Sequence, residues 1–108
     1  MLDAIGLPIG RSTKVGDALT ATGTARVAPF SIIAPPGPHK VLTSQVGATV
    51  ISGNIEVSED GQATWDVLAA FDFIANVTIA FDAYPGAAYR FNVTALTTTP
   101  ADIFAVLS

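Results

Sequence analysis

Cysteine is absent from this chain of 108 residues, which excludes disulfide staples, thiolate metal sites and thiol nucleophiles. That absence fits a reducing compartment, or a fold held by packing alone. Charge is also scarce. Charged residues make up 13% of the chain, against roughly 25% in ordinary soluble domains. The five basic residues, Arg11, Lys14, Arg26, Lys40 and Arg90, are scattered, and the net charge is −4. Phosphate recognition draws on clustered Lys and Arg, so no nucleic-acid partner is expected, and no anionic membrane surface either. The N-terminus lacks a basic stretch leading into an unbroken apolar run, so no secretion signal is expected.

What remains is neutral. Hydrophobic residues reach 50%, mean hydropathy is +0.51, and 18 Ala and 12 Thr set the tone of the surface. A single domain of this size leaves about a third of its unfolded-chain surface exposed after folding. Fourteen charged side chains cannot cover that area, so wide neutral patches are expected. Monomers seldom keep large contiguous patches of that kind, and coverage by other subunits is the simplest resolution.

The segment TWDVLAAFDFIANVTIAF, residues 64–81, has no Lys or Arg and is long enough to suggest a membrane helix. Its periodicity says otherwise. All nine odd positions from Trp65 to Phe81 are apolar, whereas five of the nine even positions from Asp66 to Asp82 are polar. Period two is the mark of strands with one face on a core. A membrane helix would have to bury Asp66, Asp72 and Asn76, and a soluble one would put Asp72 and Asn76 on its apolar face. Seventeen extended residues would run about 56 Å, so a break is needed, and FDF at 71–73 is the expected place.

Flanking segments agree. Ile55 and Val57 alternate with Glu56 and Ser58, and Asp60-Gly61 predicts a tight hairpin with positive φ at both central residues. Pro85-Gly86 suits a type II turn before YRFNVTAL, with Tyr89, Phe91, Val93 and Ala95 on one face. Residues 18–27, 30–34 and 39–52 supply further short strands, with PPGP at 35–38 as an extended connection and Gly47 as a turn or bulge. The expected fold is all-β: one sandwich or barrel-like domain over 18–97, with seven to eight short, mostly antiparallel strands. At the C-terminus, 98–108, Thr99, Pro100 and Asp102 form a helix start signal, with a final edge strand as the competing reading. At the N-terminus, 1–17, the aliphatics Leu2, Ile5, Leu7 and Ile9 stand among three Gly and one Pro. They predict an extended arm that docks on a neighbouring subunit.

No constellation of residues names a chemistry. His39 is the single histidine, and a lone general base needs a nucleophile or carboxylate beside it; a solvated loop histidine is the expectation. Glu56, Glu59, Asp60 and Asp66 flank one hairpin without the order of a calcium loop, so turn chemistry is expected and no metal. Asp66, Asp72 and Asp82 offer no visible carboxylate pair across a cleft. Asn76-Val77-Thr78 and Asn92-Val93-Thr94 match the glycosylation pattern, which recurs by chance in Thr-rich strands. GLPIGRSTK lacks the glycine spacing and Gly-Lys-Ser/Thr ending of a phosphate loop. Trp65 is expected in the core with Val67 and Phe71, while Tyr84 and Tyr89 flank a turn as candidate ligand-contact aromatics.

The expectation is therefore a non-enzymatic structural protein, without cofactor, working in a homo-oligomer or a larger protein assembly. A capsid decoration or capsid-associated protein of a virion, assembled in the host cytoplasm, is the type that fits. The second reading is a carbohydrate-binding or adhesin-like sandwich that uses Tyr84 and Tyr89. A small hydrolase comes third, for want of an acid and base.

Overall fold

Nine strands in two sheets make up the computed structural model, which describes residues 5–24, 27–33, 35–48, 50–74, 78–97 and 100–108. They are β1 (Ile5–Leu7), β2 (Thr13–Leu19), β3 (Phe30–Ile32), β4 (His39–Val46), β5 (Val50–Ser58), β6 (Asp66–Ile74), β7 (Ile79–Ala83), β8 (Ala88–Thr97) and β9 (Ala101–Leu107). One sheet runs β1-β3-β8-β5-β6 and the other β2-β9-β4-β7. Among these nine strands, every pairing is antiparallel except β1 with β3. The all-β sandwich expected from the alternation is what the chain forms, with both ends adding strands to the count.

Alternating side chains from each sheet meet in one core. Phe30, Phe71, Tyr89 and Phe91 come from the five-stranded sheet and Phe81 from the four-stranded one. The Phe81 ring lies 5.9–6.3 Å from those of Tyr89, Phe30 and Phe91, and Phe71 meets Phe91 edge-on at 5.2 Å. Such tilted and edge-on pairs add about 0.5–1.5 kcal/mol each beyond their area burial. Gly53 of β5 lies against the Asn92 carbonyl of β8 so closely that any Cβ would clash. The β8 ladder slips by one residue beside it.

The C-terminal segment corrects the helix expectation. Residues 101–107 form β9, and the strand is internal, flanked by β2 and β4, so it is not an edge strand either. Ala101, Ile103, Ala105 and Leu107 are buried while Asp102, Phe104 and Val106 are only half so. This period-two pattern outweighs the local start signal, because seven ladder residues and a buried face exceed what one cap offers. Asp102 instead accepts the Ala18 amide at 2.8 Å, steadying a residue of β2 with φ of 48°. Thr99 lies outside the described residues.

The N-terminal arm is corrected too. Residues 5–7 pair with β3 in one sheet, Ile9 bridges Leu107 in the other, and 13–19 form β2 beside β9. The first described segment thus laces the two sheets together along one side. Leu7 is wholly buried and Ile5 packs on the core, while Ile9 is 57% exposed. Leu2 lies outside the described residues. A boundary at residue 17 therefore separates nothing in the fold.

Two local expectations shift by a few residues. β6 runs on through FDF to Ile74, so the expected break does not fall at 71–73. The β5–β6 connection spans 59–65, and its positive-φ residues are Gly61 and Gln62, not Asp60 and Gly61. The β4–β5 turn at Gly47 (φ 107°) is closed by Gln45, whose buried amide both donates to and accepts from the Ala48 backbone.

Because Leu7 belongs to the core, Leu7→Ala is expected to cost about 2–5 kcal/mol in urea unfolding. A free arm would show no measurable change at that position.

Candidate functional site

The two outer faces of the sandwich differ in chemistry. On the five-stranded sheet, register places Ser52, Asn54, Glu56 and Ser58 outward between Arg90 and Asn92 of β8 and Ala70 and Asp72 of β6. Arg90 Nε donates to Glu56 Oε1 at 2.7 Å, Asn92 Nδ2 donates to Glu56 Oε2 at 3.2 Å, and Ser52 donates to Asp72. Both carboxylates of this face, Glu56 and Asp72, thus have a named donor. Trp65 belongs to this face and not to the core. The ladder slips at Leu68, between the pairs Ile55–Ala69 and Glu56–Val67, which flips the alternation upstream of it. The Arg90 guanidinium then stacks on the indole, 4.2 Å from its centroid.

The four-stranded sheet is apolar outside. Val41, Thr43 and Gln45 of β4 point inward, so Lys40, Leu42, Ser44 and Val46 point out. Leu42 sits between Ala80 of β7 and Val106 of β9, while Phe104 lies between Ser44 and Lys14. Val46 is 62% exposed, and Leu42, Phe104 and Val106 are half-buried. Ion pairs rim this stripe. Lys40 meets Asp82 at 2.7 Å, and Lys14 lies 3.6–3.7 Å from Asp17 and Asp102 and 5.9 Å from the Phe104 centroid.

Tyr84 and Tyr89 part company. Tyr89 is 3% exposed, stacks on Phe30 at 6.0 Å, and its hydroxyl accepts the Tyr84 amide at 2.8 Å. It is therefore a core residue that ties down the β7–β8 turn, and it also forms part of the floor of the hollow beside Tyr84. Tyr84 is 56% exposed and borders a shallow hollow of about 300 Å³ with Glu59, Pro85 and Ala87. A second hollow of about 310 Å³ lies on the other side of Gly86–Ala87, lined by Ser31, Ser58 and Gln62.

His39 is the first residue of β4, half-buried, with its ring Nε2 donating to the Pro35 carbonyl at 2.9 Å; it is not a free loop residue. Asp72 and Asp82 sit on different sheets, and among the described residues no three of His, Asp and Glu gather to hold a metal ion. Asn92 is mid-strand and bonded to Glu56, whereas Asn76 lies outside the described residues. Among the described residues no helix is long and apolar enough to cross a membrane.

Sequence reading missed the apolar stripe of Leu42, Val46, Phe104 and Val106. HKVLTSQV alternates on both registers, so composition alone cannot say whether Val41, Thr43 and Gln45 or Leu42 and Val46 face the core. No family model, curated protein or solved structure matches the chain.

Asp60 anchors the loop between β5 and β6. Thr64 donates to it from both hydroxyl (2.5 Å) and amide (2.9 Å), and Ser58 donates at 2.9 Å, lowering its pKa from 3.8 to about 2. A carboxyl held below its unfolded value stabilises the fold above that value and loses the contribution as pH falls. The contribution of Asp60 is expected in full above pH 3.8 and to fade as the pH drops through about 2. Thermal unfolding of Asp60→Asn across that window should show a flatter acid limb than the native chain.

Proposed function

We propose that this chain is a non-enzymatic structural protein that assembles with copies of itself or within a larger protein shell. A capsid decoration or capsid-associated protein of a virion is the type that best fits the combination. One observation carries the reading: the outward stripe of Leu42, Val46, Phe104 and Val106, set between ion pairs of both signs. Burying that stripe against a neighbour removes apolar area from water, worth about 1.5–3 kcal/mol for each large side chain fully covered. Along the rim two lysines meet three carboxylates, so each face carries a net charge of only −1 there and like faces can approach with little repulsion. Low charge at the centre and polar groups at the border is the anatomy of a protein interface.

The N-terminal arm no longer supports this reading, since its described residues are part of the sandwich. The sparse charge of the chain still does. Light scattering at micromolar concentration is expected to give a mass above that of one chain. The double substitution Leu42→Lys, Val106→Lys should weaken association at least about tenfold per site, since 1.4 kcal/mol is a factor of ten. A native chain that stays monomeric throughout overturns the reading.

A binding module is the second reading, and exposed Tyr84 beside its hollow is what favours it. A flat aromatic next to backbone polar groups suits the face of a sugar ring. On a glycan array, any ligand of the folded chain is expected to be lost on Tyr84→Ala, and an array without signal removes this reading.

A further inference from the structure

The two hollows at the Tyr84 end of the sandwich share a wall. Gly86 and Ala87 border both, one of about 300 Å³ and the other of about 310 Å³. Strand register explains the space on the far side of that wall. Ser31 of β3, Ala88 of β8 and Ser58 of β5 stand in one row on the outer face of the five-stranded sheet. The middle member is only an alanine, so the row dips there, between Gly61-Gln62 on one side and Gly86-Ala87 on the other.

Polar groups around both hollows have unused hydrogen-bonding capacity. The Tyr89 ring packs on Phe30 and Phe81, so it is the phenol end that reaches the hollow beside Tyr84. That oxygen accepts the Tyr84 amide, and its own proton has no acceptor among the described residues. In the second hollow, neither the Ser31 hydroxyl nor the Gln62 side-chain amide has a hydrogen-bond partner among the described residues. Gln62 also holds φ of 73°, a region that non-glycine residues seldom occupy and that recurs at ligand sites. Among the described lining residues there is no Lys or Arg, and Glu59 is the one charge.

We propose, resting on the binding-module reading, that the two hollows form one groove for a neutral oligosaccharide of at least two rings. One ring lies on Tyr84 and the next meets Gln62 and Ser31. A sugar offers an apolar C–H face to the exposed Tyr84 ring and hydroxyls around its edge. Those hydroxyls donate to the Glu59 carboxylate and accept from the Tyr89 phenol. On the next ring the Gln62 amide both donates and accepts, as does the Ser31 hydroxyl. Phosphate, sulfate and uronic acid groups need a cation, and here they meet a carboxylate instead.

The groove opens on the five-stranded side and the apolar stripe lies on the other sheet, so covering the stripe leaves the groove free. Copies held together through the stripe would present several grooves at once, and weak single sites would add up by avidity.

The test is a nuclear magnetic resonance titration of the full chain with cellobiose, maltose, lactose, N,N′-diacetylchitobiose and any neutral hit of the glycan array. Each is run beside its component monosaccharides, with the hyaluronan disaccharide as the charged control. A neutral disaccharide is expected to shift amides of both 59–62 and 84–88. It should bind at least about tenfold tighter than its monosaccharides, the worth of a pair of hydrogen bonds. Gln62→Gly removes the side chain where the backbone suits glycine, so the loop keeps its shape. That variant should bind the disaccharide no better than the monosaccharide, whose own affinity stays unchanged, whereas Tyr84→Ala should weaken both. Binding that needs Tyr84 but not Gln62, or a preference for the hyaluronan disaccharide, overturns the groove and leaves the binding module standing. No shift with any of these sugars removes that reading and the groove with it.

Discussion

The packing of Phe81 against Phe30, Tyr89 and Phe91 is the contact on which the rest of the molecule depends. It is where the two sheets meet through aromatic rings, and with no cysteine the fold has no covalent alternative. Around it, Leu7, Ile51, Ile55, Ile103 and Leu107 fill the interior from both sides. Tyr89 serves twice, its ring in this cluster and its hydroxyl on the backbone of the β7–β8 turn. The end of the sandwich that carries Tyr84 is thereby fixed by the same residue that closes the core.

That core recruits both ends of the chain. β9 lies between β2 and β4 and contributes four fully buried side chains, so the last residues are central to one sheet. The first described residues pair with β3, bridge to β9 and then run alongside it as β2. A segment that reads as a loose arm is thus spread across both sheets, and Ile5 and Leu7, two of the aliphatics that suggested a partner, pack within the same chain. The neutral, apolar surface lies instead on the outer face of the four-stranded sheet.

The few charges are unevenly distributed. Glu56, Arg90, Asn92, Ser52 and Asp72 satisfy one another on the five-stranded sheet, with Trp65 beneath the guanidinium. On the opposite sheet the ion pairs stand at the border and leave apolar side chains in the middle. A largely buried pair such as Arg90–Glu56 loses in desolvation much of what it gains in attraction, so it adds little to stability but fixes the outer face in one arrangement. One face is closed chemically and the other is not.

Alternation alone determined much of this protein. Residues 50–58, 66–74 and 88–97 show period two strongly enough to dictate strands, and scarce charge dictated a neutral exterior. The sequence could not say which of two apolar registers in HKVLTSQV turns inward, because Thr43 and Gln45 are acceptable in a core once Ile79 and Ala48 satisfy them. Nor could it place Trp65, whose side of the sheet depends on a one-residue slip at Leu68. The fate of ADIFAVL was decided by neighbours far away in the chain: a cap stabilises a helix locally, whereas a strand forms only where β2 and β4 wait on either side. Local pattern sets what each segment can be, and long-range pairing, which closes only in three dimensions, sets which surface is left for others.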